Sequence, residues 1–216
     1  MKFVLSFSGG EDSVLALDRL VRDGHTPLAL FIMYNQEAGR SWFHGIDEPL
    51  LNKISESLLL PLWIYPTSGE EYHLAMQKAL ERAKAEGADA VAFGDIDVKE
   101  NCEWCERQCE AAGISGMFPL WNEPRKKLVC EVVERGYACI IKCVRNSDLS
   151  QNFLGKVMTR EIVEEMEKLG VDASGEGGEF HTVAVNGPLF AFPVEIENKG
   201  ILNLGNISVA DIVLKQ

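Results

Sequence analysis

The chain predicts an α/β fold: an open, parallel five-stranded sheet with helices on both faces, plus a smaller α+β C-terminal domain. Three observations predict it. Short, near-continuously apolar runs alternate with helical runs through the first half, as parallel strands covered on both faces require. Gly or Pro punctuates most of the helical runs. After Pro119-Leu120-Trp121 the pattern changes, and from Gly175 onward it is rich in strands and turns. The domains are therefore drawn at 1–121 and 122–216.

Each element follows in order. Phe3 to Phe7 is a buried strand, and Ser13 to Arg22 a helix with Val14, Leu17 and Val21 on one face. Pro27 to Tyr34 is the second strand. Pro49 to Leu60 is helical and closed by Pro61; Leu62 to Tyr65 is the third strand. Glu70 to Glu86 is a helix stopped by Gly87, followed by a strand from Ala88 to Phe93. Asn101 to Ala112 is a helix ended by Gly113, and Ile114 to Phe118 the fifth strand. Right-handed crossovers then bring the strand C-terminal ends to one edge, where open α/β sheets bind ligands. In the second half, Arg125 to Arg135 and Thr159 to Leu169 are helices and Tyr137 to Val144 a strand. Phe180 to Val185 and Pro188 to Phe192 flank Asn186-Gly187, which predicts a hairpin with a type I′ turn. Strands near Ile201–Leu204 and Ile207–Leu214 finish the chain.

Composition narrows the function. Hydrophobic residues are 46% and charged residues 25% of the chain, as in a folded core. No apolar run is long enough to span a bilayer. The first apolar run ends in Ser8-Gly9-Gly10 without a cleavable signal pattern. A cytoplasmic protein without a membrane partner is expected. The formal net charge of −12 repels nucleic-acid backbones, and the longest basic run is Arg125-Lys126-Lys127, so no DNA partner is expected.

Ser8-Gly9-Gly10-Glu11-Asp12-Ser13 lies between the first strand and the first helix. The glycines permit a tight turn and close backbone approach. The helix start supplies unpaired N–H groups and a positive dipole end, and Ser8 and Ser13 add hydroxyls. Together they form an oxyanion cradle. The spacing fits neither a Walker A loop nor a Gly-x-Gly-x-x-Gly turn. It resembles the loop of the PP-loop ATP pyrophosphatases, in which the loop holds the pyrophosphate released when ATP is cleaved after its α-phosphate. A plain Gly-rich turn capped by Ser13 or Asp12 is the structural alternative.

A second segment, Gly175-Glu176-Gly177-Gly178-Glu179-Phe180-His181-Thr182, precedes Asn186-Gly187-Pro188. Alone it is a polar loop before a hairpin. Combined with the first loop it resembles the diphthine–ammonia ligase family, whose chains pair a Ser-Gly-Gly-Lys-Asp-Ser loop with such a distal segment. Phe43-His44-Gly45, Phe93-Gly94-Asp95-Ile96, Pro119-Leu120-Trp121 and Phe153-Leu154-Gly155 agree with it. The resemblance implies an adenine-nucleotide alpha hydrolase-like (HUP/PP-loop) fold. It implies that ATP adenylates a carboxylate, by resemblance that of diphthine on elongation factor 2, and that ammonia then displaces AMP. On this resemblance ATP contacts fall on Ser8, Gly9, Gly10, Asp12, Ser13, Met33, His44 and Gly94. Asp12 and Asp95 are the catalytic candidates, with Asp12 near Mg²⁺ and the pyrophosphate. The acceptor falls to Glu176, Gly177, Gly178, Glu179, Phe180, His181 and Thr182. Glu176 and Glu179, with an aromatic face from Phe180 or Trp121, suit a quaternary ammonium.

One departure stands out. Glu11 occupies the position of the family lysine, placing a like charge beside phosphate, turning outward or meeting a metal. It leaves open a PP-loop enzyme with another acceptor, small molecule or RNA, and a non-catalytic nucleotide-binding regulator. A homodimer is compatible with the sequence. Asp95 is alternatively a helix cap. Cys102, Cys105 and Cys109 share one helix face. They form either part of a metal site completed by Cys130, or buried thiols, the simpler reading, since ligands on one helix converge poorly. Cys139 and Cys143 fall on one strand face and are core positions.

Overall fold

The computed structural model describes residues 1–42 and 44–215. Phe43, part of the Phe43-His44-Gly45 segment, and Gln216 lie outside the described residues. The elements, in chain order, are β1 (Lys2–Ser6), α1 (Glu11–Arg22), β2 (Thr26–Asn35), β3 (Arg40–Ser41), α2 (Glu48–Ser57), β4 (Leu62–Thr67), α3 (Tyr72–Ala85), β5 (Ala90–Ala92), α4 (Lys99–Ala112), β6 (Ser115–Met117), α5 (Arg125–Glu134), β7 (Ala138–Arg145), α6 (Arg160–Lys168), β8 (Phe180–Asn186), β9 (Ile196–Asn203) and β10 (Ile207–Leu214).

Among the described residues the first sheet has six strands, not the five expected. Five are parallel, in the order β4-β2-β1-β5-β6. The sixth, β3, is a two-residue antiparallel strand on the end of β2, pairing Tyr34 with Ser41 and Asn35 with Arg40. Two residues carry no periodicity, so β3 left no readable pattern. The sheet reverses direction of winding beside β1, and the loop after β1 therefore sits at a switch point.

Both faces are covered, for the reason the apolar runs indicated. On one face α1 and α2 pack Val14, Leu17, Leu50 and Ile54 against Leu5 and Leu30. On the other, α3 and α4 bring Met76, Leu80, Cys105 and Cys109 against Phe31 and Val91. Local chemistry sets the helix ends. Asp47 accepts from the Leu50 amide (3.0 Å) at the start of α2, and Gly113 closes α4. At α1 the residue before the helix is Gly10, which has no side chain to cap it.

The second sheet is antiparallel, in the order β8-β7-β10-β9. The expected hairpin after Asn186-Gly187 is not formed. β8 pairs with β7 instead, and 188–192 is a turn-rich segment without strand structure. Pro188 has no amide to offer a ladder. The amides of Ala191 (2.7 Å) and Phe192 (3.3 Å) go to the backbone carbonyl and hydroxyl of Ser57 at the end of α2. The strand expected near Ile201 extends back to Ile196 as β9, largely exposed at the sheet edge. Among the described residues no helix is long and apolar enough to cross a membrane.

Candidate functional site

The loop leaving β1 passes Ser8 and Gly9 and enters α1 at Glu11. Gly9 has φ +86°, a conformation open to glycine at little cost. The Gly10 amide donates to the Ser8 hydroxyl (3.3 Å), and the Glu11 amide to the Thr182 hydroxyl (3.1 Å). Among the described residues no acceptor stands on the next two amides, Asp12 and Ser13. The Ser13 hydroxyl donates to the Gly10 carbonyl (2.9 Å), so it shapes the loop and its proton is not free for an anion.

These amides border a cleft of about 600 Å³. Part of its lining is apolar and aromatic: Ile32 and Met33 of β2, Trp42, Tyr72 and Met76 of α3, Phe93, and Trp104 of α4. Trp42 and Tyr72 meet edge to face with centroids 6.4 Å apart, and Tyr72 and Trp104 are 5.9 Å apart. The same cleft is also lined by Ser8, Asp12, Ser13, Gly94, Asp95 and Glu176. Gly94 follows β5, where a Cβ would sit 3.2–3.3 Å from the backbone of Asp12 and Ser13. Its missing side chain lets the two strand-end loops approach.

The carboxylates share an electrostatic problem. Burial, then the charges of Glu11, Glu176, Asp95 and Asp172, hold the Asp12 carboxyl well above the ordinary range. Asp95 is raised by burial. Glu176 is pushed up to about 7 by burial, against the pull of Arg125. Asp12 Oδ1 is buried with no hydrogen-bond partner. A divalent cation shared between this oxygen and nucleotide phosphates fits that arrangement, since Mg²⁺ is commonly held by one or two carboxylates plus phosphates. Among the described residues no group of three or more His, Cys, Asp or Glu side chains is placed to hold a metal by itself. The cysteines accordingly form no such cluster. Cys102, Cys105 and Cys109 are free thiols buried along α4, with Cys105 bordering the cleft and burial pushing the Cys109 thiol up to about 12.

The structure thus brings Ser8, Asp12, Ser13, Met33, Gly94, Asp95 and Glu176 into one cleft. The other sequence candidates sit elsewhere. Gly9 accepts from the Ala184 amide (2.8 Å) through its carbonyl. Gly10 lies against the His44 imidazole, whose Nδ1 bonds the Thr182 carbonyl (2.7 Å). His44 and His181 rings lie 4.8 Å apart, and burial pushes His181 down to about 3. Thr182 is fully buried in β8, and Phe180 is a core residue at 2% exposure. Neither Phe180 nor Trp121 borders the cleft, so the aromatic face suggested for a cationic acceptor is not theirs. Gly177, Gly178 and Glu179 form a loop braced by the Arg145 guanidinium, which donates to the Gly177 carbonyl (2.9 Å). Glu179 folds back over Gly177 and does not border the cleft. Glu11 is turned neither to solvent nor into the cleft: it is 3% exposed, with its carboxylate accepting from the Thr182 hydroxyl.

Sequence reasoning missed Trp42, Tyr72, Met76 and Trp104. Tyr72 and Met76 are one helical turn apart on α3, near the C-terminal end of β4, and Trp104 occupies the second turn of α4. An i, i+4 aromatic–methionine pair just after a strand end was the available signal. Arg125 was missed too. It pairs with Asp97 (2.6 Å) and with Asp172, fastening the loop that carries Asp95 to the segment that leads to Glu176.

Comparison with known proteins gives consistent matches. Residues 1–116 match the diphthamide synthase N-terminal domain, and residues 124–212 the diphthamide synthase C-terminal domain. A protein named diphthine–ammonia ligase from Danio rerio is 25% identical over 91% of this chain and 87% of its own length. One of the same name from Schizosaccharomyces pombe is 23% identical over the whole chain, which spans 39% of that longer protein. The Homo sapiens protein of that name is 21% identical over 94% of this chain and 85% of its own. A solved structure described as a predicted subunit of tRNA methyltransferase from Methanocaldococcus jannaschii covers 86% of this chain and 97% of its own, at 18% identity and a TM-score of 0.47.

Proposed function

We propose, since this chain belongs to the diphthamide synthase family, that it is an ATP-dependent carbon–nitrogen ligase that adenylates a carboxylate and amidates it with ammonia. The acceptor is the carboxylate of diphthine on elongation factor 2, the products are AMP and pyrophosphate, and the setting is the cytoplasm.

One observation carries the reading: the open amides of Asp12 and Ser13 border the same cleft as the aromatic wall of Trp42, Tyr72 and Trp104. An adenine ring is flat and apolar on its faces, and a polyphosphate is anionic, so ATP matches both kinds of lining at once. The amides meet the phosphates with the helix dipole behind them. The Ser8 hydroxyl, which accepts from Gly10, still has its proton to donate. Asp12 is the residue to hold Mg²⁺, which when bound neutralises charge on the departing pyrophosphate.

The acceptor carboxylate attacks the α-phosphorus, the bond to the β-phosphate oxygen breaks, and pyrophosphate leaves. Ammonia then attacks the acyl carbon, the bond from that carbon to the AMP oxygen breaks, and the nitrogen sheds one proton to solvent as AMP leaves. Asp95 and Glu176 line the same cleft. Negative charge there suits a cationic acceptor. Glu11 does not border the cleft: its side chain is buried behind the loop and accepts from the Thr182 hydroxyl.

Incubation with labelled ATP, ammonium and diphthine-bearing elongation factor 2 tests this. AMP, pyrophosphate and an amidated acceptor are expected in equal amounts. ADP as the product would reject the reading.

A further inference from the structure

The first turn of α1 is capped in an unusual place. An ordinary N-cap side chain accepts from the second or third helical amide. Here the N-cap is Gly10, and the capping hydroxyl comes from Thr182, far along the chain in β8. It takes the first helical amide, that of Glu11, and leaves the second and third, those of Asp12 and Ser13, to the cleft. The same hydroxyl gives its proton to the Glu11 carboxylate. A threonine hydroxyl has one proton, so donating it to the carboxylate fixes which side of the oxygen faces the amide.

We infer that Glu11 and Thr182 are a positioning pair, which holds the first turn of α1 in register for phosphate through this reciprocal, buried exchange. The inference deepens the ATP reading and rests on it. Thr182 is well placed to act as an anchor. Its carbonyl accepts a hydrogen bond from His44 Nδ1 at 2.7 Å, and it is paired with Ile141 in the second sheet. Two residues on, the Ala184 amide holds the Gly9 carbonyl at 2.8 Å. His44 in turn lies where a Cβ on Gly10 would collide with it. Gly9 and Glu11 are each bonded to β8, Gly10 packs against the histidine bonded to it, and the amides that follow have no such partner among the described residues. The second sheet therefore sets the geometry of a loop that belongs to the first.

The test compares Thr182→Val, Thr182→Ser, Glu11→Ala and the double variant Glu11→Ala/Thr182→Val in the full chain. Amide hydrogen exchange over residues 8–13 is measured without nucleotide, and the affinity for a non-hydrolysable ATP analogue with Mg²⁺ by calorimetry. Thr182→Val and Glu11→Ala should each exchange faster in this segment and bind about ten- to hundredfold more weakly, the range for a hydrogen bond to a charged group. Thr182→Ser keeps the hydroxyl and should stay within about threefold of wild type. The double variant should be no weaker than either single one, because the two residues act as one unit. Unchanged exchange and affinity in Glu11→Ala and Thr182→Val would overturn the inference, as would losses that multiply in the double variant. If Thr182→Val does not fold, Glu11→Ala against Thr182→Ser decides. A wild-type protein that binds no nucleotide would sink the ATP reading, while the exchange comparison would still decide the pair.

Discussion

Gly94 shows how much of this site depends on single atoms. A methyl group there would meet the Asp12 carbonyl carbon at 3.2 Å and the Ser13 nitrogen at 3.3 Å, and both are backbone atoms of a buried helix start. They give way only if the first turn of α1 moves. Gly94→Ala should therefore cost about 1–3 kcal/mol of stability, the range for overpacking, and should weaken ATP binding more than tenfold. Urea unfolding and calorimetry check the two parts separately. Glu176 makes a pH-dependent prediction. Its carboxyl is raised from 4.5 to about 7, chiefly by burial. Between those values the native state keeps a proton that the unfolded chain has lost, so stability falls as pH rises through that window and levels off above about 7. Glu176→Gln removes this contribution. Its stability relative to wild type should rise from about pH 4 to about pH 8, read from the urea midpoint at each pH; a gap that does not change with pH would refute the cause assigned. The loop glycines and Asp12 were legible in the sequence because a strand, a turn and a helix start leave a pattern of residue types. The burial of Glu11 was not, because its partner Thr182 is brought to it only by the fold.

Among the elements, the start of α5 fastens the far wall of the cleft. Arg125 holds Asp97, in the loop after β5, and Asp172, in the segment before Glu176. The bond to Asp97 is bidentate, at 2.7 and 2.6 Å, which gives it a fixed geometry. The pairs are about one-third exposed, so solvent screens them, and Arg125→Ala should cost only about 1 kcal/mol. The larger effect is local. Loss of the cation that pulls Glu176 downward should move that carboxyl further up, which carboxyl NMR titration reads directly. A Glu176 titration that stays in place would mean the guanidinium does not act on it. The strands and helices of the first half could be read from apolar period alone, since buried parallel strands and two-sided packing impose it. The expected hairpin failed for a complementary reason: Asn186-Gly187 has the turn chemistry, but Pro188 cannot donate and Ser57 takes the amides of Ala191 and Phe192. Local turn preference lost to a long-range partner that sequence spacing does not reveal.

At the scale of the whole molecule, the domain division at residue 121 and the division of the core do not coincide. Leu5, Val14 and Leu17 from the first half belong to the same continuous apolar cluster as Leu128, Val183 and Ala184 from the second. α1 is covered by α5 and β8, and Tyr137, entering β7, donates its hydroxyl proton to the buried Asp18 of α1 (3.0 Å). A fragment of residues 1–121 would contain every strand of the parallel sheet but expose one side of α1 and leave the Glu11 carboxylate without Thr182. Exposed apolar surface of this kind destabilises by about 25 cal/mol for each Å² returned to water, and a small domain has little stability to lose. The fragment should therefore show no cooperative thermal transition, bind a hydrophobic dye, and fail to bind the ATP analogue. Mixing it with residues 122–216 should restore both folding and nucleotide binding, because the missing cover and the missing cap arrive together. A fragment that melts cooperatively and binds nucleotide like the full chain would establish an autonomous first domain, with a phosphate loop that needs nothing from β8.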